Sequence, residues 1–271
     1  MPIEIFSWNV NGVRAAARKG FLDWLEATSP DLLGLQEIKA HPEQLDQELR
    51  EPEAYETTWA PAERKGYSGV ALLSRFPPLK TTIGIGDPLY DREGRTIVAD
   101  FGPFVLVNTY VPHGSRDHSR VDFKMEYKER LLQLCESLRA SGREIVLCGD
   151  INTAHREIDL ARPSQNKHTS GFLPREREWI DRFLEAGYID TFRSLHPESA
   201  AYSWWAYWGG ARSRDVGWRL DYTFISPGLE PRLLDARIHN DVTGSDHCPV
   251  SLTLDIDLAD NQDPIRTIPL T

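Results

Sequence analysis

The sequence predicts an α/β fold in one domain spanning residues 1–271. Two features of the pattern carry that expectation. Short apolar runs rich in β-branched residues have the length and bounds of buried strands; the clearest is Ile145, Val146, Leu147 and Cys148, closed by Gly149. Other stretches place apolar residues at helical spacing, as Phe21, Leu22, Trp24 and Leu25 do and as the run from Ser119 to Ala140 does. With 271 residues, 40% of them hydrophobic, the chain can bury a sizeable core, and no repeat or low-complexity segment divides it.

Taken in order, IEIFSWNVNGVR alternates Ile3, Ile5 and Trp8 with Glu4 and Ser7, then stops at Asn9, Asn11 and Gly12: a strand, then a turn. A helix is expected from Arg14 to Thr28, ended by Ser29-Pro30. DLLGLQEIK, Asp31 to Lys39, reads as a second apolar strand that delivers Gln36, Glu37 and Lys39 to its end, where Glu37 is equally placed to open a helix. Arg64–Arg75 and Gly94–Pro112 read as a meander of strands with a turn at Gly102 and Pro103, the last ending in Asn108, Tyr110 and His113. After the long helix and the strand at Ile145, a further helix starts near Pro174 with Trp179, Ile180, Phe183 and Leu184 on its apolar face. Tyr202 to Ser226 holds four tryptophans and three arginines, and glycines 209, 210 and 217 put part of that cluster on a loop. Aromatics interleaved with arginine on a loop suit a nucleotide or sugar wall. Leu220, Tyr222, Phe224 and Ile225 then form a strand carrying Asp221, and Ser245, Asp246 and His247 precede a last strand.

The net charge of −10, from 31 Lys+Arg and 41 Asp+Glu, argues on its face against a polyanionic partner. Its distribution argues otherwise. Acid gathers at Pro42–Glu53 and in a tail from about 257, within Asp255–Asp263. Basic residues gather around the strand ends, at Arg14, Arg18 and Lys19, at Arg116 and Arg120, at Arg156, Arg162 and Lys167, and at Arg212, Arg214 and Arg219. One face is thereby fit for phosphates. MPIEIFSWNV has neither a basic n-region nor an apolar h-region, and no run is long enough to cross a bilayer, so a soluble cytoplasmic protein with no membrane partner is expected. Cys135, Cys148 and Cys248 are widely spaced and read as reduced core thiols.

Asp150 and Asn152 bring a proton acceptor and a hydrogen-bonding amide to one strand end, a pair able to orient and deprotonate a water. In isolation Gly-Asp and Asn-Thr are more often turn or cap chemistry. Several strands, however, end alike. Collected, those residues are Asn9, Asn11, Glu37, Tyr110, Asp150, Asn152, Asp221, Asp246 and His247, with no Ser or Cys beside a base and no glycine-rich phosphate loop. Such oxygen donors suit a hard cation such as Mg²⁺, and a cation, a carboxylate and an Asp-held imidazole together describe phosphodiester hydrolysis. Asp150 is the expected base, Asn152 orients the water, and Asp221 polarises His247.

The blocks WNVNGVR, LQEIK, YSGVALLSR, NTYVP, CGDINTAHREIDL, SGFLPREREW, GWRLDY and GSDHCP, in this order over nearly the full length, resemble the exodeoxyribonuclease III and apurinic/apyrimidinic endonuclease family. That resemblance implies a four-layer α/β sandwich, with two mixed sheets face to face, helices outside and the active site where strands of both sheets end. It implies Glu37 as the main Mg²⁺ ligand, with Mn²⁺ as a substitute and with Asn11 and Asp246 close to the metal. Asn9, Tyr110 and Asn152 look like contacts to the scissile phosphate or water, Asp150 like the proton acceptor, and Asp221 with His247 like the charged pair on a phosphate oxygen. Trp204, Trp218 and Leu220 match the wall of a pocket for a base-free deoxyribose, Asn166 a position near the DNA backbone, and Arg116 joins the substrate-binding set.

The activity so implied is Mg²⁺-dependent cleavage of double-stranded DNA 5′ to abasic sites, with 3′→5′ exonuclease and 3′-end trimming; nothing in the sequence demands more than a monomer. His113 and Asp215 stand where some members have amides, and Trp208 where others carry a wedge residue, which leaves the endonuclease-to-exonuclease balance open. The competing readings are an inositol phosphate phosphatase, a nonspecific nuclease, or a non-catalytic nucleic-acid-binding relative. GWRLDY and SGFLPREREW speak against the first two, and the retained carboxylates against the third.

Overall fold

In the computed structural model, which describes residues 1–259, two six-stranded mixed sheets pack on each other. The first contains β1 (Ile3–Asn9), β2 (Leu32–Gln36), β3 (Glu56–Ala60), β4 (Val70–Ser74), β13 (Leu233–Ile238) and β14 (Val250–Leu254), in the order β13-β14-β1-β2-β4-β3. The second contains β5 (Lys80–Ile83), β6 (Thr96–Asp100), β7 (Val105–Tyr110), β8 (Ile145–Asp150), β9 (Ile189–Asp190) and β12 (Asp221–Ile225), in the order β5-β6-β7-β8-β12-β9. β10 (Trp204–Trp205) and β11 (Gly217–Trp218) form a separate small ribbon. Among the described residues only β1 with β2 and β7 with β8 run parallel; the other pairs are antiparallel.

Three apolar layers follow from the strand pattern. Ile5, Leu32, Val70 and Leu72 of the first sheet meet Ile97, Leu106, Val146 and Ile225 of the second. The outer face of the first sheet, Phe6, Trp8, Leu33 and Leu35, is covered by α1 (Val13–Ala17) and α2 (Phe21–Thr28). The outer face of the second, including Val107, Leu147 and Phe224, takes Tyr127 and Leu131 of α5 (Val121–Ala140) and Trp179, Ile180 and Phe183 of α6 (Pro174–Glu185). The order helix, sheet, sheet, helix is the four-layer sandwich that the resemblance implied. The central strands are buried on both sides, which explains why β1 keeps Ser7 inside although the alternation set it with Glu4. Short helices α3 (Gln47–Arg50), α4 (Pro88–Asp91) and α7 (Thr191–Leu195) link the rest.

Several expectations are corrected. The helix expected over Arg14–Thr28 is two helices, broken where Gly20 takes φ 93°. The expected meander is divided, with β4 in the first sheet and β6 and β7 in the second. Near the site the two sheets are joined by polar groups: Gln36 Nε2 donates to Asn108 Oδ1 at 2.7 Å and to Ser7 Oγ at 2.9 Å, and Asn108 Nδ2 donates to the Ala71 carbonyl at 2.8 Å. This contact needs glycine at position 34, where a Cβ would lie 2.8 Å from the Asn108 side chain. All three cysteines are buried and free. Among the described residues no helix is long and apolar enough to cross a membrane. Asp260 to Asp263 of the acidic tail lie outside the described residues.

Candidate active site

The topology brings the polar strand ends to one edge. β1 and β2 finish together, with Asn9 opposite Gln36, and β7 and β8 finish together, with Tyr110 opposite Asp150. β12 runs antiparallel to β8 and so begins there, with Asp221 opposite Asp150. β14 runs antiparallel to β1, which places the preceding Ser245–His247 turn at the same edge. Asp150 can approach β7 because Gly149, at φ 145°, precedes it: a Cβ there would lie 1.9 Å from the Thr109 carbonyl oxygen.

Asn9 joins the two halves. Its Nδ2 donates to Glu37 Oε1 and to Asp150 Oδ2, both at 2.9 Å, while its Oδ1 accepts the Asn11 N–H at 3.0 Å. Asp150 also accepts the Asn152 N–H at 2.8 Å and Asn152 Nδ2 at 3.1 Å. His247 Nδ1 donates to Asp221 Oδ2 at 2.7 Å, and its Nε2 lies 3.9 Å from Asp150 Oδ2. The arrangement is carboxylate, imidazole, carboxylate, all within 4% exposure. Burial, opposed by the His247 charge and reinforced by Asp221 and Glu37, raises the Asp150 pKa. Burial alone would lower His247, but Asp221, with Asp150 and Asp246 behind it, outweighs that and raises it, so the ring is an imidazolium. Tyr110 is raised well above the ordinary phenol range by burial and by Glu37, and remains a neutral donor. Buried Arg95 holds it from behind, with Nη1 on its carbonyl at 2.9 Å and the guanidinium 4.8 Å from its ring centre.

Glu37 ends β2 in a left-handed turn at φ 51° and does not open a helix. Asn11, Lys39 and Asn152 share that uncommon conformation at 45°, 50° and 52°, a clustering typical of functional sites. Against burial, Lys39 and then Asn9 lower the Glu37 pKa and keep it ionised. The Lys39 ammonium sits 2.7 Å from Glu37 Oε2 and also bonds Asn11 Oδ1. Two oxygens thus already converge on one cation, and the donor set fits a hard metal ion in its place. Among the described residues, ligand atoms of Glu37, Asp150 and His247 also lie within 4.8 Å of one another, although a protonated imidazole offers no lone pair. Asp246 stands one step back, accepting Asn11 Nδ2 at 2.9 Å and Trp204 Nε1 at 3.1 Å.

Beside this cluster opens a cavity of about 270 Å³, bordered by Trp204, Trp218, Leu220, Gly171 and His113 as well as by Glu37 and His247. The Trp204 and Trp218 rings meet edge to face at 6.4 Å, and Phe172 meets Trp218 in the same way. Two expected residues stand apart. Arg116 is exposed on the loop between β7 and α5, and Asn166 is engaged in its own loop, bonding the Arg162 carbonyl at 2.8 Å and Thr169 Oγ1 at 3.2 Å. Trp208 is 69% exposed on the loop after β10, and Asp215 accepts Trp205 Nε1 at 3.1 Å.

Other contributors had not stood out in the sequence. Ser203 Oγ donates to Asp221 Oδ2 at 2.6 Å and accepts the N–H groups of Leu220 and Asp221. Arg219 points away from the pocket between Trp218 and Leu220, where Asp159 and Asp190 anchor it. Lys124 and Glu176 lie beneath Asn152. The lysines had left a signal: positions 124, 127, 128 and 131 share one helix face.

An ionised acid beside a cation-seeking oxygen set, with a raised acid and an imidazolium facing it, is equipped for displacement at phosphorus. Fold and site together define a phosphoester-hydrolysing enzyme of the two-sheet sandwich type. The chain belongs to the endonuclease/exonuclease/phosphatase family, whose description matches residues 6–247. It is 44% identical over 256 residues to an exodeoxyribonuclease of Bacillus subtilis (strain 168), covering 94% of this chain and all of that one. It is 46% identical over 255 residues to the DNA repair nuclease APEX1 of Danio rerio, covering 93% of this chain and 82% of that one. An AP endonuclease structure from Archaeoglobus fulgidus superposes with a TM-score of 0.85 at 29% identity, over 94% of this chain and all of the other.

Proposed function

We propose that this protein is a Mg²⁺-dependent DNA repair phosphodiesterase, active also with Mn²⁺, that cuts duplex DNA 5′ to abasic sites and trims 3′ ends. The observation that carries the reading is the tryptophan-walled cavity that Glu37, Asn152 and His247 also line, with Asp150 behind His247 at 3.9 Å. At about 270 Å³ it has room for a flipped-out deoxyribose, and Trp204, Trp218 and Leu220 give that sugar an apolar wall. A flat polar cleft would suit a nonspecific nuclease better, and an inositol phosphate would not use the tryptophan wall.

In this reading Asp150 takes the proton of the attacking water, which the Asn152 and Asn9 amides orient. His247, kept charged by Asp221, donates to a phosphate oxygen, and the Tyr110 hydroxyl donates alongside it. Glu37 and Asn11, with Asp246 close by, would hold the metal, which would supply charge neutralisation at the phosphate when bound. The whole described chain serves as one catalytic domain. The relatives named as exodeoxyribonuclease and DNA repair nuclease support this assignment. The test is an assay panel of abasic duplex, recessed 3′ end, single strand and an inositol phosphate, each with and without Mg²⁺. Metal-dependent cutting of the abasic duplex above all others is expected, and preference for the inositol phosphate or the single strand would overturn the reading.

A further inference from the structure

Helix α5 turns two lysines inward. Lys124 and Lys128 are both 0% exposed, and Glu176, also 0% exposed, is the carboxylate that pairs with Lys124. Buried ammonium groups are costly unless they are paired and hydrogen-bonded, so two of them beside one carboxylate ask for a reason.

The bonds supply one. Lys124 Nζ donates to a Glu176 oxygen and to the backbone carbonyl of Asn152. The other Glu176 oxygen accepts the N–H groups of Gly171 at 2.6 Å and Leu173 at 3.0 Å, while Ser170 Oγ donates to the first at 3.2 Å. Gly171 borders the pocket, and its carbonyl accepts the Ala154 N–H at 2.8 Å. Asn152 sits at φ 52°, a left-handed conformation that asparagine tolerates better than most side chains. Its carboxamide faces Asp150 and the Val111 carbonyl, while its own carbonyl points back to Lys124. Lys128 bonds Thr153 Oγ1 at 2.8 Å and the Glu176 carbonyl at 3.3 Å, and touches neither Asn152 nor the Glu176 carboxylate.

We propose that the buried Lys124–Glu176 pair is a positioning device: Lys124 sets the backbone that aims the Asn152 amide at Asp150, and Glu176 ties that same point to the Ser170–Gly171 wall of the pocket. Amide and wall then keep one fixed relation. The inference rests on the proposed function, in which Asn152 orients the attacking water. Neither residue touches the reacting atoms, so both act through others.

The experiment is a double-mutant cycle on the full chain, K124M against N152A, with K128M as a control from the same buried helix face. Melting temperature, and kcat and KM on abasic duplex at saturating Mg²⁺, are read for each. K124M should lower kcat by at least about tenfold with KM little changed, the scale expected when an orienting group moves by a fraction of an ångström. In the N152A background it should cause no further loss beyond about twofold, the usual limit of additivity. K128M should lower the melting temperature comparably while keeping kcat. If K124M does not fold, the same cycle is run with E176Q, which preserves volume and removes the charge. Equal loss of kcat in both backgrounds, or a lower melting temperature with kcat unchanged, would overturn the proposal. Positioning is also read without substrate: the Asn152 side-chain amide signal in NMR, assigned by its absence in N152A, should shift in K124M and stay in K128M. A wild type that does not cut abasic DNA would therefore overturn the functional reading while leaving this arm to decide the positioning.

Discussion

Truncating Trp218 to alanine removes the broadest face of the pocket while leaving its backbone in place. Gly217–Trp218 pairs with Trp204–Trp205, and Leu160 bridges to Trp218, through main-chain groups that alanine retains. What disappears is the indole with its two edge-to-face contacts, to Trp204 and to Phe172. Ring pairs of this kind contribute about 0.5–1.5 kcal/mol each beyond area, and a fully buried Trp→Ala change costs about 3–5 kcal/mol. Trp218 is only half-buried. A loss of about 2 kcal/mol is therefore expected, a fall of roughly 3–4 °C in melting temperature for a chain of this size. The effect on selection is separate. Burying the apolar face of a sugar against the indole is worth about 1–1.5 kcal/mol at about 25 cal/mol per Å², so kcat/KM for an abasic duplex relative to the same duplex with its base should drop about tenfold. Flipping still favours the site that has no base to unstack, so some preference survives. Both ratio and melting temperature are measured at saturating Mg²⁺. A fall in melting temperature of the expected size with an unchanged ratio would refute the pocket assignment and make Trp218 a packing residue.

Glu37→Gln should cut activity severely and raise the Mg²⁺ needed for half-maximal rate while the melting curve is preserved; superimposable Mg²⁺ titrations for mutant and wild type would remove Glu37 from the metal site. Asp150→Asn and His247→Ala should each lower kcat by about 10²- to 10⁴-fold with a far smaller change in DNA affinity, and near-normal turnover in Asp150→Asn would require another base. Asp159 is lowered from 3.8 to about 2 because Arg219 and Arg193 outweigh its burial. A lowered carboxylate adds stability above its unfolded pKa and loses it as pH falls through the folded one, here about 2 kcal/mol between roughly pH 4 and pH 2. Urea melts of Asp159→Asn against wild type across that window should converge toward acid; curves that stay parallel would contradict the assignment. DNA affinity should fall steeply with salt, by a slope of about −0.9 per phosphate neutralised, despite the net charge of −10; a flat response would deny the basic face.

The site was more legible than the scaffold, for a physical reason. Asn, Asp and His at the ends of apolar runs contradict their surroundings, and contradiction is visible in a single sequence. Asp150, Asn152, Asp221 and His247 could be gathered on that ground alone. The edge strands β3, β5 and β13 could not, since their partly exposed faces carry mixed polar residues with little alternation. The division of β4 from β6 and β7 between two sheets is a long-range choice that no local pattern records, and the four layers came from the resemblance, not from periodicity. Ser203 and Glu176 escaped because a buried serine or glutamate looks like an exposed one until its partners are known. Asn166 entered with the resemblance and Arg116 with a basic cluster, and the fold places neither against the catalytic groups.

Building the site from two sheets sets a problem that its amides resolve. Glu37 comes from one sheet and Asp150 from the other, with ligand atoms within 4.8 Å. Two like charges at that distance repel by about 3 kcal/mol at an effective dielectric of about 20, enough to push apart surfaces whose apolar contacts fix no register. The two N–H bonds of the Asn9 carboxamide, one to each acid, oppose that repulsion at about 1.5–3 kcal/mol each for charged acceptors. Lys39 beside Glu37 and the imidazolium beside Asp150 remove much of what is left. Directional bonds from Gln36 and Asn108 then fix the register that hydrophobic packing leaves free. A base at position 9 would compete for the proton Asp150 must accept, and a cation there would exclude the metal from Glu37. A neutral double donor does neither, which is why an asparagine completely buried between two acids is consistent with the chemistry assigned to them.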